Sequence, residues 1–85
     1  MFEVQRDIEE ATAILATYIK GEGCILGIYK KPGSSRVKEI YVGSKLLVSL
    51  QDLGDGESRL TAAEKQLEDK IKEIFADDIV VLGTA

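Results

Sequence analysis

Apolar residues recur along this chain with two different periods. Ile8, Ala11, Leu15, Tyr18 and Ile19 fall at helical spacing, which predicts a first helix from about Val4 to Lys20. Acids cluster at its start, where they complement the helix dipole. Gly21 supplies a natural stop, because glycine accepts the left-handed conformation that ends helices. From Cys24 to Leu50 the period shortens to that of strands. Residues 24–31, 36–42 and 45–50 read as three strands. Pro32-Gly33-Ser34-Ser35 is turn chemistry, and Gly43-Ser44 suits a two-residue type II′ hairpin with glycine first.

The helical period returns later. Ala63, Leu67, Ile71, Ile74 and Phe75 form one stripe, so a second helix is expected to run to about Ala76. Thr61-Ala62-Ala63-Glu64 has the spacing of a capping box at its start. Gln51 to Leu60, with Gly54 and Gly56, reads as a loop and as the most mobile internal segment. Ile79 to Leu82 is a continuous apolar run that suits a buried strand in parallel pairing. The predicted order is α-β-β-β-α-β. The expected fold is α+β: a three-stranded antiparallel meander, a last parallel strand beside it, and two packed helices. The crossover into that last strand is expected to be right-handed.

Pairing Lys31 with Arg36 and Val42 with Lys45 sorts the strand residues onto two faces. One carries Cys24, Leu26, Ile28, Val37, Tyr41, Leu46, Val48 and Leu50. The other carries Ile25, Gly27, Tyr29, Ile40, Val42 and Leu47. Both are apolar at their centres. Two short helices cover one face well or each face poorly. Ile25, Tyr29, Ile40, Val42 and Leu47 are therefore the candidate oligomer interface. Gly27 in mid-strand predicts a bulge or a close approach by another backbone.

Length and composition narrow the class. At 85 residues, 45% apolar and 31% charged, the chain is expected to form one small globular domain spanning 1–85. A core of that size is modest, and self-association is a common supplement. No apolar run reaches the roughly 20 residues of a membrane helix. The acids near the N-terminus are wrong for a signal peptide. Cytoplasm is the expected compartment.

Net charge is −4, unevenly spread. Residues 1–29 set five acids against Arg6 and Lys20 and carry −3. Residues 30–45 set five bases against Glu39 and carry +4. Residues 46–85 carry −5. A basic hairpin thus projects from an acidic body. Lys30, Lys31, Arg36 and Lys38 are candidate anion-binding residues, and Tyr29 and Tyr41 could stack on bases. The lysines would equally serve to guard a sheet edge. The acidic remainder argues against nucleic acid as the partner.

Catalytic chemistry is mostly excluded. The chain has no histidine and one cysteine. Ser-His-Asp and Cys-His mechanisms and histidine-bearing zinc sites are therefore absent. Cys24 opens an apolar strand and reads as a small core residue. Gly21-Glu22-Gly23-Cys24-Ile25-Leu26 lacks the third glycine and the strand-to-helix order of a dinucleotide fingerprint. Ser35-Arg36-Val37-Lys38 has Ser-x-x-Lys spacing, but on a strand those two residues point to opposite faces. Asp52, Asp55 and Glu57 are candidate ligands for Mg²⁺ or Ca²⁺, although no register of the segment fits a calcium loop. No cofactor is implied.

The first five elements resemble the double-stranded-RNA-binding domain in order alone. The second helix starts Ala62-Ala63-Glu64-Lys65-Gln66, without the basic cluster such domains carry there. The full order resembles the core of restriction-type nucleases, but the third strand, Leu46-Leu47-Val48-Ser49-Leu50, lacks their carboxylate-x-lysine pair. The expected function is a small acidic, non-enzymatic binding or regulatory module acting as a homo-oligomer, a dimer first, with another protein as a further partner. The alternatives are a nucleic-acid or phosphate-ligand binder using hairpin 30–45, and a small carboxylate- or metal-dependent enzyme.

Overall fold

The computed structural model describes residues 1–80. Among these, β1 (Phe2–Val4), α1 (Ile8–Gly21), β2 (Leu26–Lys30), β3 (Val37–Val42), β4 (Lys45–Gly54), β5 (Glu57–Ala62) and α2 (Lys65–Ile74) follow in order, with a 3-10 turn at Ala76–Asp78. The strands form one antiparallel sheet in the order β1-β5-β4-β3-β2. The fold is α+β, as the alternating periods predict.

The start of the chain departs from the helical expectation. Val4 keeps step with Ile8, Ala11 and Leu15, so the stripe looks continuous. Asp7 interrupts it. Its backbone is extended (φ −71°, ψ 162°), and its carboxylate accepts the Glu10 amide at 2.9 Å as an N-cap. Residues before the cap are free to pair. Phe2, Glu3 and Val4 lie opposite Leu60, Arg59 and Ser58. At its other end α1 runs through Gly21. The left-handed position falls on Gly23 (φ +83°), whose amide donates to Lys20 O at 2.9 Å.

Chain length explains the path of α1. Fourteen helical residues span about 21 Å. Four strand spacings, from β1 at one edge to β2 at the other, need about 19 Å. The helix crosses the sheet and touches β2, β3, β4 and β5. Ala11, Leu15 and Ile19 meet Ile40, Val48, Leu50 and Leu60, and α2 adds Ile71 and Phe75 to the same buried cluster. Both helices thus cover one face. The shortest dimension of the molecule, 19 Å, is that of two layers about 10 Å apart.

Three further expectations are corrected. Gln51 to Leu60 is not a loop but most of a β-hairpin. β4 and β5 pair from Val48↔Ala62 to Gly54↔Glu57, and Asp55-Gly56 forms the turn. Both turn residues have positive φ (53° and 74°), as a type I′ turn requires. The capping box does not form. Thr61 pairs with Ser49, and Glu64, without a side-chain cap, precedes α2. The expected parallel last strand is not found. Ile79 makes one antiparallel bridge to Val4, and residues 81–82 of that run lie outside the described ones. Gln5 N donates to Asp78 O at 2.7 Å, and Val80 N to Glu3 O at 2.9 Å. Arg6 Nε adds a 3.1 Å bond to Asp78 Oδ2, and this partner raises the Arg6 pKa. Residues 78–80 therefore lie along the outer edge of β1.

The face assignment also changes, for two reasons. Lys31 N donates to Val37 O at 3.0 Å, and Ile28 lies opposite Ile40. This register is one residue from the Lys31–Arg36 pairing, which turns β2 over relative to β3. Val42↔Lys45 pairs as expected, and Gly43 has the positive φ (62°) of a type II′ turn. The register then shifts between Ile40 and Tyr41, leaving Leu47 as the extra residue of a bulge. Ile40, Val48, Leu50 and Leu60 consequently share the buried face.

Candidate functional site

The five residues expected at an oligomer interface do not come together. Ile40 is fully buried beneath the helices, and Val42 and Leu47 pack half-buried against the same core. Ile25 and Tyr29 are exposed, by 90% and 58%. Gly27 is explained by a side chain rather than a backbone. The Tyr29 ring lies over it, and a Cβ there would stand 2.7 Å from the ring.

The uncovered sheet face is graded. Toward β1 it is polar: Arg59 donates to Glu3 Oε2 through Nε (3.1 Å) and Nη2 (2.9 Å), and to Gln51 Oε1 at 3.4 Å. Toward β2 it is aromatic. Tyr29 and Tyr41 meet edge to face, centroids 5.7 Å apart and planes at 75°. The Tyr41 hydroxyl donates to Glu39 Oε1 at 3.5 Å. An open depression of about 470 Å³ borders the pair, lined by Lys30, Pro32, Glu39, Gly43 and Ser44 as well.

The apolar character continues onto the free edge of the sheet. Among the described residues only four large hydrophobics are exposed: Met1, Ile25, Ile28 and Tyr29. Three of them fall within five positions on and beside β2. The opposite edge is covered by Ile79 and Val80; this one has no neighbouring strand among the described residues. Sequence reasoning put Ile28 on the face of Val48 and Leu50, where it lies, but did not see the edge, because strand order decides which strand lacks a neighbour.

The basic candidates do gather. Lys30 and Lys38 lie directly opposite each other, and Lys31 and Arg36 flank the turn that joins β2 to β3. None of the four forms an ion pair among the described residues, whereas Arg6, Lys45, Arg59 and Lys65 all do. The acidic candidates are held apart by the hairpin. Asp52 Oδ1 accepts the Gly54 amide at 3.0 Å, Asp55 occupies the turn, and Glu57 lies across from Gly54. Among the described residues no three carboxylates or thiols cluster as metal ligands. Cys24 is a half-buried free thiol packed against the core. No described helix is long and apolar enough to cross a membrane. Compared with protein-family models, with curated proteins and with solved structures, the chain matches none.

Proposed function

We propose that the protein is a non-catalytic binding module that works as a homo-oligomer, with the β2 edge as its subunit contact. The observation that carries this reading is the concentration of exposed apolar side chains, Ile25, Ile28 and Tyr29, on and beside a strand that has one side unpaired among the described residues. Such an edge is a template for another strand unless charge or a covering segment blocks it. Here the β1 edge has its cover and the β2 edge carries only Lys30 at its end. The test is the mass in solution by light scattering over a concentration series, for wild type and Ile28→Lys. Wild type should gain mass with concentration, and Ile28→Lys should remain a folded monomer. A wild type that stays monomeric at millimolar concentration overturns the proposal.

A second reading, an anion-binding finger, is favoured by the four cations at Lys30, Lys31, Arg36 and Lys38, which form no ion pair among the described residues. Its test is oligonucleotide binding at two salt concentrations by wild type and a Lys31→Ala, Arg36→Ala double variant. Each lost phosphate contact should lower the salt slope by roughly 1. No binding by wild type at low salt overturns this reading.

A further inference from the structure

We infer that two copies join through β2 in antiparallel register with Ile28 on the twofold axis, making one continuous sheet. This rests on the self-association proposed above and specifies its geometry. The backbone supplies the phase. In an antiparallel ladder a narrow pair exchanges both hydrogen bonds, and such pairs alternate with wide ones. Lys31 N donates to Val37 O, so Gly27, Tyr29 and Lys31 turn their amides and carbonyls toward β3. Leu26, Ile28 and Lys30 turn theirs outward, where no other described strand lies.

A register centred on Ile28 sets all three outward residues against outward residues of the second copy. Leu26 then faces Lys30 and Ile28 faces Ile28, with two hydrogen bonds for each narrow pair. Shifts of two residues are worse. One sets Cys24 against Lys30, but the Cys24 amide already donates to Ile19 O. The other sets Pro32 against Leu26, and proline has no amide to give.

Side chains agree with this register. On the uncovered face Gly27 of each copy lies opposite Tyr29 of the other, so the smallest residue meets the largest. Each Tyr29 ring, lying over its own Gly27 with Tyr41 beside it, then packs against the other across the seam. On the helical face the two Ile28 side chains meet and cover each other. Charge selects the antiparallel direction. A parallel pair would set Lys30 and Lys31 beside their own copies. The antiparallel pair separates them, setting Lys30 against Leu26 and Lys31 against Ile25 of the other copy.

The test combines two readouts. In wild type, amide exchange at Leu26, Ile28 and Lys30 should slow by at least tenfold as concentration rises, while Gly27 and Tyr29 are protected throughout. In a Cys24→Ser background, Ile28→Cys should form a disulfide-linked dimer under mild oxidation. The Cα atoms of a narrow pair lie about 5.5 Å apart, within disulfide range. Lys30→Cys alone should cross-link at least tenfold more slowly, but rapidly when mixed with Leu26→Cys. A wild type that self-associates without the alternating protection, or a Lys30→Cys that cross-links as fast as Ile28→Cys, overturns the register and leaves self-association standing. A monomeric wild type overturns both.

Discussion

Replacing Leu60 with alanine tests the largest revision to the fold, the placing of residues 57–62 in the middle of the sheet. Leu60 is fully buried, with Phe2 on one side and Leu50 on the other. The change removes three carbon atoms, worth about 2.4 kcal/mol at roughly 0.8 kcal/mol each. A cavity penalty adds to this, since strands on both sides hinder collapse. The total should fall at about 3–4 kcal/mol, within the usual span for buried leucine. A domain of this length has about 4–13 kcal/mol in all. The variant should melt at least 12 °C lower, at about 4–8 °C per kcal/mol. Urea unfolding followed by circular dichroism would measure the loss, at one fixed protein concentration because self-association would shift the midpoint. Leu53→Ala is the control. Leu53 is the half-buried extra residue of the β4 bulge and lies outside the core cluster, so it should lose about 1 kcal/mol or less. A Leu60→Ala cost below about 1 kcal/mol, or equal to that of Leu53→Ala, would refute the placement.

Other substitutions probe the turns and the surface. Gly21→Ala should stabilise by about 0.5 kcal/mol, since Gly21 is helical with open space around it. Gly23→Ala and Gly56→Ala should each cost about 1–2 kcal/mol, since φ is +83° and +74° there; thermal melts showing the reverse order would return the helix stop to Gly21. Gly27→Ala should destabilise wild type by displacing the Tyr29 ring, and should be neutral or stabilising in a Tyr29→Ala background. An equal effect in both backgrounds would show that the ring does not rest on Gly27. The Glu68 carboxyl is held below its ordinary range, chiefly because the Met1 ammonium donates to it. A depressed carboxylate stabilises above its unfolded pKa, about 4.3, and that contribution is lost as pH falls through the folded value. Glu68→Gln should therefore lower the melting temperature slightly at pH 7 and not at pH 2. An identical difference at both pH values would rule out a charge effect.

Much of the architecture follows from local chemistry. The stripe through Ala11, Leu15 and Ile19 defines α1, because a helix buries residues four apart. Gly43-Ser44 sets the second hairpin because few other residues tolerate its φ. The crowding of Lys30, Lys31, Arg36 and Lys38 on one hairpin is plain from spacing alone, since neighbours in sequence share a turn.

Tertiary structure decided the rest. Ser58 points inward and is fully buried because its hydroxyl donates to Arg6 O at 2.7 Å, a partner 52 residues away. In the bare sequence that serine breaks the alternation that would mark β5, so Asp55-Gly56 looks like a loop. The single-residue shift at Lys31 and the bulge at Leu47 turn β3 over relative to β2 and to Val48 and Leu50 of β4. Both are choices among near-equal local pairings, settled when α1 needs one apolar face for Leu15 and Ile19. β2 lacks a neighbour among the described strands because β1 takes its place beside β5 and residues 78–80 cover β1. Periodicity reports which side of a strand is apolar, but a vacant edge depends on which strands lie side by side, and no local pattern encodes that.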